Sequence, residues 1–205
     1  MTYQLYEPRD FENLLDIGNL SKELMKDHLS LYRGYVNNVD KLLKELDIFS
    51  KEDIEETPEY AEIKRRLGWE FNGMRLHECY FSNMIKGGSF LDRNTSLFKK
   101  ITHDFGSYDN WEKDFKTTGL MRGIGWAICI YDPISERLFN TWIDEHNSGH
   151  FCGCYPILVL DVFEHAYLLD YRIKKSDYID TFFKIIDWVT ISSMTENWFY
   201  HTDRN

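Results

Sequence analysis

The chain has 205 residues, of which 43% are hydrophobic and 16% aromatic, and its formal net charge is −10. This length suffices for one or two domains with a hydrophobic core, and the composition argues against disorder. The negative charge disfavours binding to nucleic acid or acidic membranes. No apolar run approaches the ~20 residues of a membrane-spanning helix, and the N-terminus shows no secretory signal pattern. We therefore expect a cytoplasmic protein with no nucleic-acid or membrane partner.

The first half of the chain has the pattern of two long helices. Apolar residues recur at helical spacing through residues 11–50, and Ser21 stands where an N-terminal cap would open a helix. A second helical region runs from Thr57 to Ile85, and Pro58 suits its first turn. A Lys-Gly-Gly-Ser stretch then interrupts the pattern, so we place a domain boundary within residues 86–94.

The second half mixes short helices with strands. We expect short helices over Ser96–Ile101 and Ser107–Thr118, strands over Gly123–Tyr131, Leu138–Asp144 and Tyr155–Leu160, and helices over Asp161–Asp170 and Asp177–Ser193. This order predicts an α+β protein. Residues 1–90 would form an N-terminal antiparallel helical hairpin domain. Residues 91–205 would form a C-terminal α/β domain with a three-stranded antiparallel sheet.

The four cysteines are expected to be free thiols in a reducing compartment. They are Cys79, Cys129, Cys152 and Cys154. The last two are too close in sequence for an ordinary framework disulfide, and the chain has no Cys-x-x-Cys pair.

The most specific chemistry lies in residues 161–167, Asp-Val-Phe-Glu-His-Ala-Tyr. Asp161 and His165 are four residues apart, so at the start of a helix they would lie on one face. They follow an apolar stretch predicted as a buried strand, which would hold them rigidly. A carboxylate oxygen and an imidazole nitrogen in this arrangement suit a redox-active metal ion.

Two further histidines stand in the predicted helical hairpin. His28 lies in the first helical region and His77 in the second. Two antiparallel helices can each offer an imidazole to a common point, as helix bundles do. Three histidines and one aspartate with an open position suit iron or manganese, and zinc less specifically.

The 161–167 stretch resembles the DVWEHAY signature of the iron/manganese superoxide dismutases. Other segments are similar to that family in the same order, over about residues 14–195: Leu20–His28, Tyr35–Asn38, Phe71–Gly73 with His77, Tyr80 and Phe81, Phe105–Ser107 with Trp111 and Phe115, Gly123–Ala127, and Trp188. The chain is therefore identified as a divergent member of that family. The resemblance implies that His28, His77, Asp161 and His165 bind one metal ion per chain.

The resemblance implies an antioxidant oxidoreductase, a superoxide dismutase that converts two superoxide ions to dioxygen and hydrogen peroxide by redox cycling of iron or manganese. Val159 slightly favours iron, and a cambialistic enzyme is the alternative. The resemblance also implies a homodimer or homotetramer in which Glu164 reaches the last histidine ligand of the other subunit. Another metal-dependent redox enzyme of the peroxidase kind, or a structural protein on the same fold, is the alternative function.

The first helix departs from the family pattern. A gapless match on Tyr35-Val-Asn-Asn would place Asp27, not His28, at the ligand position. We favour His28 because residues 28, 32 and 35 share one stripe of a straight helix. Tyr35 would then be the gateway tyrosine beside the open metal position, with Tyr32 as the alternative.

The surroundings of the predicted metal site also depart from the family. A glutamine that hydrogen-bonds the solvent beside the metal is absent: its position on the second helix is Gly73, and its other position is His146. We expect Gly73 to leave room for His146 and His146 to bond that solvent, with His150 as the alternative. Phe163 and Leu168 stand where the family has tryptophan and tyrosine.

Overall fold

The structure is a computed structural model that describes residues 5–199. Its elements are α1 (Lys22–Glu52), α2 (Pro58–Ser82), α3 (Ser96–Phe105), α4 (Tyr108–Leu120), β1 (Trp126–Asp132), β2 (Arg137–Ile143), β3 (Tyr155–Asp161), α5 (Leu168–Tyr171), α6 (Lys175–Phe182) and α7 (Trp188–Phe199). Single 3₁₀ turns cover Glu12–Asp16 and Glu164–Ala166. Within residues 5–199, no helix is both long and apolar enough to cross a bilayer.

Helices α1 and α2 form the predicted hairpin. Helix α1 begins at the predicted cap Ser21, and helix α2 is capped by Thr57, the first residue of the second predicted helical region. The Ser21 hydroxyl accepts a hydrogen bond from the amide of Leu24 at 3.1 Å. The Thr57 hydroxyl accepts one from Tyr60 at 3.3 Å, and Pro58 occupies the first turn of α2. These bonds satisfy amides that have no partner inside a helix, which fixes where each helix starts.

The three strands form one antiparallel sheet in the order β2-β1-β3. The central strand β1 is buried from Trp126 to Tyr131, because neighbours cover it on both edges and helices pack on its faces. Trp126 pairs with Ile143 on one side and with Asp161 on the other. This register brings the end of β3 beside a tryptophan at the start of β1, and the predicted α+β fold class is confirmed.

Asn83 joins the end of α2 to β3. Its side-chain oxygen accepts from the amide of Val159 at 2.9 Å, and its amide nitrogen donates to the carbonyl of Ile157 at 3.4 Å. The hairpin and the sheet therefore pack together through a buried polar contact. The proposed division into residues 1–90 and 91–205 stays a prediction, and its outermost residues, 1–4 and 200–205, lie outside the described residues.

Replacing Asn83 with alanine should lower the free energy of unfolding by about 1–3 kcal/mol, because the buried amide of Val159 loses its acceptor. Urea denaturation of the purified variant measures this. Asn37→Ala, at an exposed position of α1, is the matched control and should change stability by less than about 0.5 kcal/mol. Equal stability of the two variants would contradict the structural role of Asn83.

Two predicted helices are wrong in their extent. Asp161 is the last residue of β3, and residues 164–166 form only a 3₁₀ turn, so Asp161 and His165 do not share a helix face. The single helix predicted over 177–193 is two helices, because the intervening segment bonds to the end of the hairpin. There Ile186 forms a bridge with Met84, and the amide of Asp187 donates to the Asn83 carbonyl at 2.8 Å.

Candidate metal centre

Four side chains from distant parts of the chain converge at one point. His28 lies on α1, His77 on α2, Asp161 at the end of β3, and His165 in the following 3₁₀ turn. One ligand atom from each lies within 4.8 Å of all the others. The Nε2 atoms of the three histidines lie 3.2, 3.6 and 3.1 Å from Asp161 Oδ2, in chain order. The structure therefore brings together the four predicted ligands.

Local backbone contacts aim the Asp161 carboxylate at the histidines. The Asp161 carbonyl accepts from the Tyr178 hydroxyl at 2.9 Å, and its Oδ1 accepts from the amide of Phe163 at 2.8 Å. The second bond is of the Asx-turn kind, in which an aspartate side chain bonds the backbone two residues on. It leaves Oδ2 directed at the imidazoles and turns the chain so that His165 faces the same point.

His77 provides the clearest test of whether a cation fits. Its Nδ1 lies 2.6 Å from the Gly73 carbonyl oxygen, which can only accept, so the hydrogen-bond pattern assigns the ring proton to Nδ1. Its Nε2 then carries a lone pair, is buried without a hydrogen-bond partner, and faces the Asp161 carboxylate. A lone pair directed at a carboxylate is unfavourable unless a cation lies between them. Three nitrogens and one carboxylate oxygen suit iron or manganese.

The electrostatics of the site favour the forms that bind metal. Burial lowers the pKa of His28, although the hydrogen bond to Asp161 opposes this. Burial, and then the neighbouring His28, lowers the pKa of His77 well below its usual range. Burial alone would raise the pKa of the Asp161 carboxyl, but the His165 and His28 imidazoles hold it well below its usual range. Neutral imidazoles and an ionised carboxylate are the forms that coordinate a metal.

Trp126, His146 and Tyr35 form a hydrogen-bonded chain beside these four residues. The Trp126 indole N–H can only donate, and it lies 3.0 Å from His146 Nδ1. His146 Nδ1 must therefore accept, which places the proton of the neutral ring on Nε2. That Nε2 lies 2.7 Å from the Tyr35 hydroxyl oxygen, so His146 donates its single N–H to Tyr35.

Tyr35 keeps a hydroxyl proton that no other described residue accepts. Burial lowers the pKa of His146 to about 4, so its ring is neutral near pH 7. Burial, and then the charge of Asp161, raises the pKa of Tyr35 well above its usual value, so its hydroxyl stays protonated. Within residues 5–199, the one hydrogen bond of that hydroxyl is to His146. Its own O–H is therefore available to a ligand at the centre.

Gly73 provides the space for this arrangement. A Cβ added at Gly73 would lie 2.6 Å from Tyr35 Cδ1 and 3.2 Å from His146 Cδ2. The space beside Gly73, which we expected His146 to fill, is occupied mainly by the Tyr35 ring.

Replacing Gly73 with alanine should displace Tyr35 and lower stability by about 1–3 kcal/mol through overpacking. Gly68→Ala, on the same helix with nothing within 4 Å of the added Cβ, is the matched control. It should stabilise the fold by about 0.4–1 kcal/mol. Thermal or urea unfolding of both variants measures the difference, and equal effects would contradict the close contact.

The two alternative residues are engaged elsewhere. The Tyr32 hydroxyl donates to Glu78 at 3.0 Å and accepts from the amide of Arg9 at 2.9 Å. His150 is exposed, and its Nε2 lies 2.8 Å from the backbone carbonyl oxygen of His146. The geometry therefore favours Tyr35 over Tyr32 and His146 over His150 as residues beside the centre.

Trp69 is a residue of the site that the sequence argument missed. Its ring centroid lies 4.4 Å from that of His146 and 5.6 Å from that of Tyr35. Trp69, Gly73 and His77 are spaced by four residues, so they share one face of α2. That spacing is the signal that could have identified Trp69 as part of the site wall.

The fold and the centre define a class of metal-dependent oxidoreductase, and comparison with known proteins gives the family. The sequence model for "Iron/manganese superoxide dismutases, C-terminal domain" matches residues 93–194. The chain is 33% identical over 195 residues to an iron superoxide dismutase of Aquifex pyrophilus, covering 93% of this chain and 91% of that protein. It is 34% identical over 161 residues to a manganese superoxide dismutase of Haloarcula marismortui, covering 78% and 77%. The chain belongs to the iron/manganese superoxide dismutase family, as the sequence resemblance implies.

Proposed function

We propose that this protein is a superoxide dismutase, in which two superoxide ions and two protons give dioxygen and hydrogen peroxide. One iron or manganese ion per chain would be held by His28, His77, Asp161 and His165. When bound, the metal supplies the electron exchange between successive superoxide ions. Family membership and the unpartnered Nε2 of His77, which faces the Asp161 carboxylate, carry this proposal.

Tyr35 is the catalytic residue in this proposal, and His146 is a positioning residue. The single N–H of His146 is donated to the Tyr35 oxygen, so a neutral His146 has no second proton for solvent or substrate. The Tyr35 O–H therefore donates to superoxide or solvent at the open side of the centre. Trp126 holds His146 in the required tautomer through its indole N–H. This proposal differs from the expectation that His146 itself bonds the solvent, because it assigns that bond to Tyr35.

A homodimer is the assembly we favour, with a homotetramer as the alternative. Glu164 is exposed next to His165, whose side chain is 29% exposed at an otherwise buried centre. Leu168 and Leu169 are exposed nearby. A second copy covering this face would exclude water from His165. A carboxylate from that copy would fix the orientation and tautomer of the imidazole, as partners of metal-bound histidines do.

The proposal also covers the preferred metal and the location in the cell. Val159 is fully buried on β3, two residues before Asp161, and bulk at this position supports iron over manganese by analogy with the family. The relatives compared above include both iron and manganese enzymes, which keeps a cambialistic enzyme as the alternative. The four cysteines are unpaired, which supports a reducing cytoplasm.

Metal reconstitution tests this function. Metal-free protein is loaded with iron or manganese separately, the metal is counted per chain, and superoxide dismutase activity is measured. We expect close to one ion per chain, activity with at least one metal, and more activity with iron. Bound metal with peroxidase activity but no dismutase activity would favour the alternative enzyme. Failure to retain either metal would favour a structural protein.

A further inference from the structure

Two cysteines separated by one glycine lie in the loop between β2 and β3. The amide of Cys154 donates to the carbonyl of Phe151 at 3.2 Å, which closes a turn with Cys152 and Gly153 at its centre. Gly153 has φ +79°, a conformation that glycine adopts without strain. Two trans peptides span at most ~7.2 Å, and a turn brings the Cα atoms of alternate residues closer than that, toward the ~4.4–6.8 Å that a disulfide spans.

The four cysteines differ in how far water reaches them. Cys152 is exposed and Cys154 is half-buried. Burial raises the pKa of Cys79 to about 11 and that of Cys129 to about 12, so these two stay protonated and unreactive. Burial, then Asp132, then Cys152 raises the pKa of Cys154. Because Cys152 is the more exposed of the two, it is the better nucleophile.

We infer that Cys152 and Cys154 form a dithiol that hydrogen peroxide oxidises reversibly to a disulfide within the turn. The Cys152 thiolate attacks one peroxide oxygen, the O–O bond breaks, and the leaving hydroxide takes up a proton to become water. The resulting sulfenic acid is attacked by the Cys154 sulfur; the S–O bond breaks and a second water leaves. In sum, two thiols and one peroxide give one disulfide and two waters, and the two electrons pass from sulfur to peroxide.

A disulfide here would be easily reduced rather than structural. A bridge over one residue removes little chain entropy from the unfolded state, so it adds little stability. Exposed bridges of this kind are the labile ones. Two thiols are also too few for a metal site. Among residues 5–199, three or more potential metal ligands come together in the cluster of His28, His77, Asp161 and His165.

The loop places this dithiol on the segment that also carries His146. The His150 side chain, two residues before Cys152, donates to the His146 carbonyl at 2.8 Å. If the proposed function holds, the peroxide made at the centre is an oxidant for the dithiol. The dithiol chemistry itself does not depend on that function, because added peroxide suffices to test it.

The test exposes the reduced full-length, metal-loaded protein to a few equivalents of hydrogen peroxide, blocks remaining thiols with N-ethylmaleimide, and measures mass. We expect two alkylation sites per chain to be lost, a mass decrease of two hydrogens in the peptide containing residues 152–154, and full recovery with dithiothreitol. Cys79→Ser should lose the same two sites. Dismutase activity, measured in parallel, reports on the proposed function separately.

Two single variants test the order of events. Cys154→Ser should stop at a sulfenic acid on Cys152, which dimedone traps, whereas the unsubstituted protein should give little dimedone adduct. Cys152→Ser should react more slowly, because Cys154 is half-buried. The inference is overturned if each cysteine gains oxygen independently, if Cys152 links two chains on a non-reducing gel, or if both thiols survive peroxide that oxidises free cysteine.

Discussion

Asp161→Asn should give a folded protein that no longer retains iron or manganese. The amide keeps the shape of the side chain and can still accept from the Phe163 amide through Oδ1. It removes the negative charge on which three imidazole nitrogens converge. Dismutase activity should fall by more than the roughly 10- to 100-fold that changes to partners of metal ligands cost. Metal analysis after dialysis and an activity assay measure both effects.

A stability measurement separates loss of metal from loss of folding. In the metal-free protein the Asp161 carboxylate is a fully buried charge, and because the His165 and His28 imidazoles hold its pKa well below its usual range, its ionised form stabilises the fold. Metal-free Asp161→Asn should therefore unfold at a lower urea concentration than the metal-free unsubstituted protein, but still in one cooperative transition, which shows that the variant folds. Asp27→Asn is the matched control, since Asp27 is exposed and adjacent to His28. If Asp27→Asn loses the metal instead, the ligand assignment on α1 is wrong.

Local signals predicted the parts of the fold that local contacts determine. Ser21 and Thr57 mark helix starts because each hydroxyl bonds an amide three residues on. The three strands are confirmed to within a few residues, since each apolar run has its own turn signals. The four converging side chains were predicted because their residue types and order match a family signature. No periodicity in the sequence could have shown that α1, α2 and β3 meet at one point.

The features that the sequence could not give depend on partners far along the chain. The Asp161 backbone extends β3 because it pairs with Trp126, which overrides the helical spacing of Asp161 and His165. The break between α6 and α7 follows from the pairing of Ile186 with Met84. The tautomer of His146 is likewise set by Trp126, twenty residues earlier. Nothing in the sequence pattern identifies Trp126 as the partner of His146, and the structure fixes the tautomer.

Tyr35→Phe and His146→Leu should each lower dismutase activity by about 10- to 100-fold, because each removes part of one hydrogen-bonded unit beside the centre. Since His146 acts through Tyr35 in our proposal, the double variant should be no worse than the more damaged single variant. A double-mutant cycle on the metal-loaded proteins measures this coupling. Additive losses would mean that His146 contacts the reacting oxygen independently of Tyr35. Metal content, expected to stay near that of the unsubstituted protein, is the control for each variant.

The His146→Gln variant tests whether the effect of residue 146 depends on how many hydrogen-bond donors its side chain has. A glutamine oxygen could accept from Trp126, and its NH₂ group has two protons, one for Tyr35 and one for the open side of the centre. A hydrogen bond donated to the solvent molecule at the open side of the centre stabilises its hydroxide form, which the oxidised metal also favours. The added donor should therefore stabilise the oxidised state. One hydrogen bond to a charged group contributes about 1.5–3 kcal/mol, so the midpoint potential should fall by about 60–130 mV. Redox titration of the metal-loaded variant measures the shift. An unchanged potential would show that His146 already directs a proton to the open side, and the single-donor account would be wrong.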